Sequence, residues 1–196
     1  MHIEDIDVLR SRYSGIEIRN PHNLIEKHPH DELVYRDLLD YTDSIYTFIG
    51  AKIPCYGKTR KEQITDIDLI GIDEETNRID VYEYKCMFRD DLLVNALEGV
   101  NKLRKYLTQE NGNNAHIPDI EDRLSSLNAK NSEITYSVKF GDFEIGENIE
   151  NIEIVSEIHV DDDFFEDVFR KLRDRDEEKL VNYLRSKDIF IDHTQN

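Results

Sequence analysis

Asp68, Glu83 and Lys85 sit in two runs, 65-TDIDLIGID-73 and 78-RIDVYEYK-85, that otherwise read as buried strand. Taking unpaired carboxylates out of water is costly, and a lysine beside them compensates only in part. If the two runs form an antiparallel hairpin centred on Glu75 and Thr76, opposite residues have numbers summing to 151. Asp68 then faces Glu83, Asp66 faces Lys85 and Ile70 faces Val81, all on one side of the sheet. Two opposed oxygen ligands with positions left open suit Mg²⁺, which dehydrates reluctantly and offsets the repulsion between them. Mn²⁺ is expected to substitute. Such a site polarises a phosphoryl oxygen and activates water, with Lys85 steadying the attacking water or the developing charge. A phosphodiester is the natural substrate. The competing reading is a cross-strand ion-pair cluster facing solvent, in which Lys85 neutralises Asp66 and Glu83.

The hairpin needs neighbours to hold it. Hydrophobic spacing predicts a first helix from Asp31 to Ile49, with Val34, Leu38, Tyr41, Ile45 and Phe48 on one side, Asp31 as cap and Gly50 as terminator. A short strand at 51–55 and a basic loop, 57-GKTRK-61, lead into the hairpin strands at 64–73 and 78–86, joined by the turn 74-EETN-77. A second helix at 90–109 carries Leu93, Ala96, Leu97, Val100, Leu103 and Leu107 on one face. Strands follow at 133–140 and 151–160. The acids 161-DDD-163 cap a helix with Phe165, Val168, Phe169 and Leu172, and a last helical piece covers 176–186. A short strand is expected at 15–19. The order is that of an α/β protein, a central mixed sheet flanked by helices. With no repeat or linker, 196 residues make one domain, its core at about 31–160 and a C-terminal helical region at about 161–190.

Charge narrows the partners without naming them. The formal net charge of −18 argues against a protein that coats nucleic acid nonspecifically, and an acidic surface suits a protein partner. Lys58, Arg60 and Lys61 in the basic loop, with Lys102 on the second helix, are the candidate phosphate contacts. No apolar run is long enough to span a bilayer and the first residues are too acidic for a signal peptide, so a cytoplasmic protein is expected. Two cysteines make neither a disulfide framework nor a zinc knuckle, and Cys86 after the second hairpin strand reads as a buried, reduced thiol. The histidines at 22, 28, 30, 116, 159 and 193 fall mostly in expected loops and read as surface residues. Tyr82 and Tyr84 alternate with the acids and should pack against a helix.

The segment 66-DIDLIGI-72 followed by 83-EYK-85 resembles the core motif of the PD-(D/E)XK phosphodiesterase superfamily. Members share the restriction-endonuclease-like fold, an α-β-β-β-α-β core, and the order expected over 31–140 is similar. The resemblance implies Asp68, Glu83 and Lys85 as catalytic residues, with Asp68 and Glu83 also holding Mg²⁺. Many members carry an early helical glutamate that joins the metal site, for which Glu32 is the matching candidate. A Gln-x-x-x-Tyr pattern often follows on the next helix; here 102-KLRKY-106 keeps Tyr106 but has Lys102 in place of the Gln. The proline of the motif's name is absent before Asp68. A metal-dependent DNA endonuclease of repair, recombination or defence is the first expectation, and a homodimer is the natural form of one that cuts both strands. An RNA or cyclic-nucleotide phosphodiesterase of the same fold, or a catalytically silent protein-binding module, are the alternatives.

Overall fold

A computed structural model describes residues 17–19, 28–40, 46–57, 61–108, 116–127, 132–143, 152–160, 168, 177–186 and 190–192. Seven strands form one mixed sheet in chain order: β1 (Glu17–Arg19), β2 (Phe48–Tyr56), β3 (Gln63–Asp73), β4 (Arg78–Lys85), β5 (Glu133–Gly141), β6 (Ile154–Val160) and β7 (Phe190–Asp192). The pairs β1–β2 and β4–β5 are parallel; the other four are antiparallel. Helix α1 (Pro29–Asp40) precedes β2, α2 (Asp90–Leu107) and the short α3 (Glu121–Ser126) connect β4 to β5, and α4 (Glu177–Arg185) precedes β7.

The β3–β4 hairpin forms because 74–77 supplies the turn. The Asp73 carboxylate accepts from the backbone N–H of Glu75 at 3.0 Å and of Thr76 at 3.4 Å. Asn77 takes the left-handed conformation, φ 59°, that asparagine tolerates better than most residues. Pairing then runs from Asp73↔Arg78 through Ile70↔Val81 to Leu69↔Tyr82, in the register read from the sequence.

The sheet is covered on both faces. On one, α2 buries Leu93, Ala96, Leu97, Val100, Leu103 and Leu107 against Ile70, Ile72, Val81, Val138 and Phe140. On the other, Leu33, Val34 and Leu38 of α1 pack with Leu69, Tyr82 and Tyr84, the two tyrosines lying against a helix as their alternation with the acids predicts. Gly71 makes room for the Tyr46 ring, since a Cβ there would lie 2.6 Å from it. The Tyr46 hydroxyl donates to the buried Asp80 carboxylate.

Three expectations change. The first helix is described over Pro29–Asp40 and does not run to Ile49: Phe48 and Gly50 lie within β2, and Tyr41 and Ile45 lie outside the described residues. The segment 46-YTFI-49 is aromatic and β-branched, and its apolar spacing happened also to match a helix. Cys55 is the buried thiol; Cys86 is half-buried, and both are free. The helix α3 and strand β7 had no counterpart in the sequence reading. Of the helix expected after 161–163 only Val168 is described, helical and buried; Phe165, Phe169 and Leu172 lie outside the described residues. Among the described residues no helix is long and apolar enough to cross a membrane.

Candidate active site

The β3–β4 ladder ends at Leu69↔Tyr82, and the next residues outward are Asp68 and Glu83. The strands part there. The Tyr84 N–H donates to the Asp68 carboxylate at 2.9 Å, so the acid takes the place of a ladder carbonyl at the fork. On its other side β3 pairs with β2, but the ladder steps from Ala51↔Leu69 to Ile53↔Ile67 without joining Lys52 to Asp68. Both strands change face at this step: Ile53 and Ile67 pack under α2, whereas Ala51 and Leu69 pack under α1. Lys52 makes the switch with φ 48°. A residue bearing a Cβ pays about 1–2 kcal/mol for that left-handed conformation.

Asp68 is buried and fully engaged. One oxygen lies 3.0 Å from His30 Nε2, and the other accepts from Lys52 Nζ at 2.8 Å. Burial alone would raise its carboxyl pKa, but hydrogen bonds and charge from His30, then Lys52, hold it well below the usual carboxylate range. Burial would likewise neutralise His30, yet Asp31 and Asp68 raise it to about 9. Glu83 goes the other way. Burial and then the negative charge of Asp68 raise it to about 7, against the opposing pull of Lys85, whose Nζ donates to Glu83 Oε1 at 2.6 Å. Two acids on one fork thus differ sharply, Asp68 held ionised and Glu83 poised near neutrality.

The sequence-derived candidates distribute unevenly. Asp68 and Glu83 follow the last pair of the β3–β4 ladder, and Lys85 reaches Glu83. Asp66 does not face Lys85: it pairs with Pro54 of β2, and its carboxylate is 3.8 Å from Lys52. Glu32 does not reach the fork. Its carboxylate accepts from Arg36 at 3.3 Å, and it lines a separate cleft with Arg36, Asp37 and Ile152. Helix geometry gives the reason, because residues four apart share a face and the buried Val34 and Leu38 are matched by His30, not Glu32. Lys102 donates to the Ile64 carbonyl at 2.8 Å, near the start of β3, and Lys61 is exposed. Lys58 and Arg60 lie outside the described residues.

His30, Asp31 and Lys52 were missed. The sequence groups His30 with histidines expected mostly in loops, although its spacing to Val34 and Leu38 places it on the helix's inner face. The sequence places Lys52 in the short strand 51–55 without a role, although a lysine within AKIPC, a run otherwise apolar, calls for an acidic partner. Donor atoms of His28, His30 and Asp31 lie within 4.8 Å of one another, an arrangement compatible with a cation. Beside it opens a cleft of about 500 Å³, lined by His28, Asp31, Lys52, Pro54, Tyr56, Gln63 and Asp66.

Helix α2 passes close to the fork at Gly99, where a Cβ would lie 3.6 Å from Glu83 Oε1, an ordinary contact. Gly99→Ala should therefore gain the helix-propensity difference, roughly 0.5–1 kcal/mol, without disturbing Glu83. Urea unfolding measures this; a loss of stability would show that α2 sits closer to the site than described.

No family model matches the chain, and no curated protein or solved structure matches it either.

Proposed function

We propose that this chain is a divalent-cation-dependent phosphodiesterase of the restriction-endonuclease-like architecture, acting on nucleic acid and on DNA first. The observation that carries the reading is the fork itself: buried Asp68 and half-buried Glu83 succeed the last ladder pair, with His30 3.0 Å from one acid and Lys85 2.6 Å from the other. The order α1-β2-β3-β4-α2-β5, with β5 parallel to β4, supports the same architecture.

The donor set fits a cation. Asp68 and Glu83 both follow the last ladder pair, and after burial the charge of Asp68 raises Glu83, a repulsion that a bound ion would relieve. Carboxylates suit Mg²⁺ and Mn²⁺, and the His30 imidazole favours the transition ion. When bound, a divalent ion supplies Lewis acidity towards a phosphoryl oxygen and lowers the pKa of water. Asp68 and Glu83 would hold the ion, with the His30 imidazole 3.0 Å from Asp68 beside them. Lys85, anchored on Glu83, presents an ammonium to the attacking water or to the charge that develops on phosphate.

The test is incubation of the purified protein with supercoiled plasmid, single-stranded DNA, branched DNA, RNA and cyclic dinucleotides, each with Mg²⁺, Mn²⁺ or EDTA. Cleavage of a nucleic acid that EDTA abolishes is the expected result. A binding module would cleave none of them, and it would show no ion-dependent rise in melting temperature.

A further inference from the structure

Lys52 stands at the centre of the charged groups around Asp68 without a role in holding the cation. Its ammonium is 2.8 Å from Asp68 Oδ1, 3.1 Å from His30 Nδ1, 3.3 Å from Asp31 Oδ1 and 3.8 Å from Asp66 Oδ2. Three of those neighbours are carboxylates, groups that would coordinate a cation, and the ammonium sits among them as a cation would. The backbone goes out of its way to place it. Lys52 adopts a left-handed φ of 48° that glycine would take without strain, and the β2–β3 ladder skips it so that the side chain reaches Asp68. The same side chain borders the cleft that Pro54, Tyr56 and Gln63 line.

We propose that Lys52 is a tethered counter-ion that exchanges partners: it neutralises Asp68 in the ion-free protein and turns into the adjoining cleft to hold a substrate phosphate when the site is loaded. The inference rests on the cation site assigned above. Three physical points support the exchange. An ammonium 2.8 Å from an Asp68 oxygen would lie only a few ångströms from any ion on that carboxylate, and like charges at that range repel strongly in a buried site. The lysine stem is long and flexible, so release from Asp68 needs no backbone movement. Asp31 and Asp66 line the cleft, so a phosphate entering it needs a cation there, and Lys52 borders it together with His28. Lys52 would thereby couple ion binding to substrate binding. Before loading, its charge keeps the buried carboxylate satisfied; after loading, the same charge serves the substrate.

Lys52→Gly removes the ammonium at a position whose backbone already suits glycine, so the variant is expected to fold; Lys52→Arg keeps the charge. Mn²⁺ affinity is measured by calorimetry. Binding of a short labelled oligodeoxynucleotide is measured with Ca²⁺ and with EDTA. Lys52→Gly should bind Mn²⁺ at least about tenfold more tightly than wild type. It should also lose most of the gain in oligonucleotide affinity that Ca²⁺ gives wild type, with a salt slope lower by about one. Lys52→Arg should resemble wild type in both respects. Unchanged or weaker Mn²⁺ binding by Lys52→Gly, or an oligonucleotide gain that survives the substitution, overturns the proposal. Glu83→Gln serves as the control: if it loses Mn²⁺ binding while Lys52→Gly behaves as wild type, the cation site stands and the role of Lys52 falls. Failure of folded wild-type protein to bind Mn²⁺ at all brings down the cation site itself.

Discussion

Purified Asp68→Asn and Glu83→Gln proteins should each lose metal-dependent nicking of plasmid by roughly a thousandfold or more, the several kcal/mol that a Lewis-acidic cation supplies. Lys85→Met should lose about a hundredfold or more, through a missing charge at the transition state, while keeping much of its ion binding. The two acids should part company on stability. Asp68 has three partners, His30, Lys52 and the Tyr84 N–H, so its negative charge favours the folded state. Its folded pKa lies below the unfolded one, which makes the ionised form stabilising at neutral pH. Glu83 has a folded pKa raised to about 7, so ionising it above that pH opposes folding. In EDTA at pH 8, Asp68→Asn should therefore be less stable than wild type, and Glu83→Gln as stable or more so. An ordinary ion-pair cluster predicts otherwise: Lys85→Met would be destabilised and no variant would affect cleavage. Nicking by Asp68→Asn and Glu83→Gln at wild-type rates would sink the assignment of these residues.

The parts of this site that sequence reveals are those fixed by short-range periodicity. The turn at 74–77 and strict alternation set the hairpin register, so Ile70 opposite Val81 follows from counting. The face of α2 follows from six apolar residues at helical spacing, all six buried. The parts that escape depend on departures from regularity. Alternation carried through residue 66 puts Asp66 opposite Lys85, but the strands separate after Leu69 and β3 changes face at Asp68. Nothing local to AKIPC announces a left-handed lysine. The choice of Glu32 over His30 turned on two residues of α1, about 200° of rotation on a helix. With the helix carried on to Ile49, later apolar positions blurred which stripe faced the sheet.

Contacts between residues distant in sequence were the least legible, and one of them supports the site from behind. Lys139 on β5 donates to the Asp37 carboxylate on α1 at 2.6 Å, and the Tyr84 hydroxyl donates to the same group. The ammonium also lies 4.8 Å from the centre of the Tyr82 ring. Side-chain exposures of 9 % and 11 % leave this pair little water. Breaking such a pair by removing one partner strands a charge and costs about 3–5 kcal/mol. Asp37→Leu should therefore lower the melting temperature by roughly 10 °C, at about 2–4 °C per kcal/mol for a chain of this length. The double variant Asp37→Leu/Lys139→Met removes both charges and should recover most of that loss, because apolar groups replace a costly buried pair. Activity should not recover with it to the same extent. Tyr84 supplies the N–H that orients Asp68, and without Asp37 its hydroxyl loses the anchor that holds this stretch of β4 against α1. Melting curves and nicking rates on the three variants test both halves. An Asp37→Leu protein within about 1 kcal/mol of wild type would show the pair to be solvated and of little weight; full nicking by the double variant would show that Tyr84 needs no help in placing Asp68.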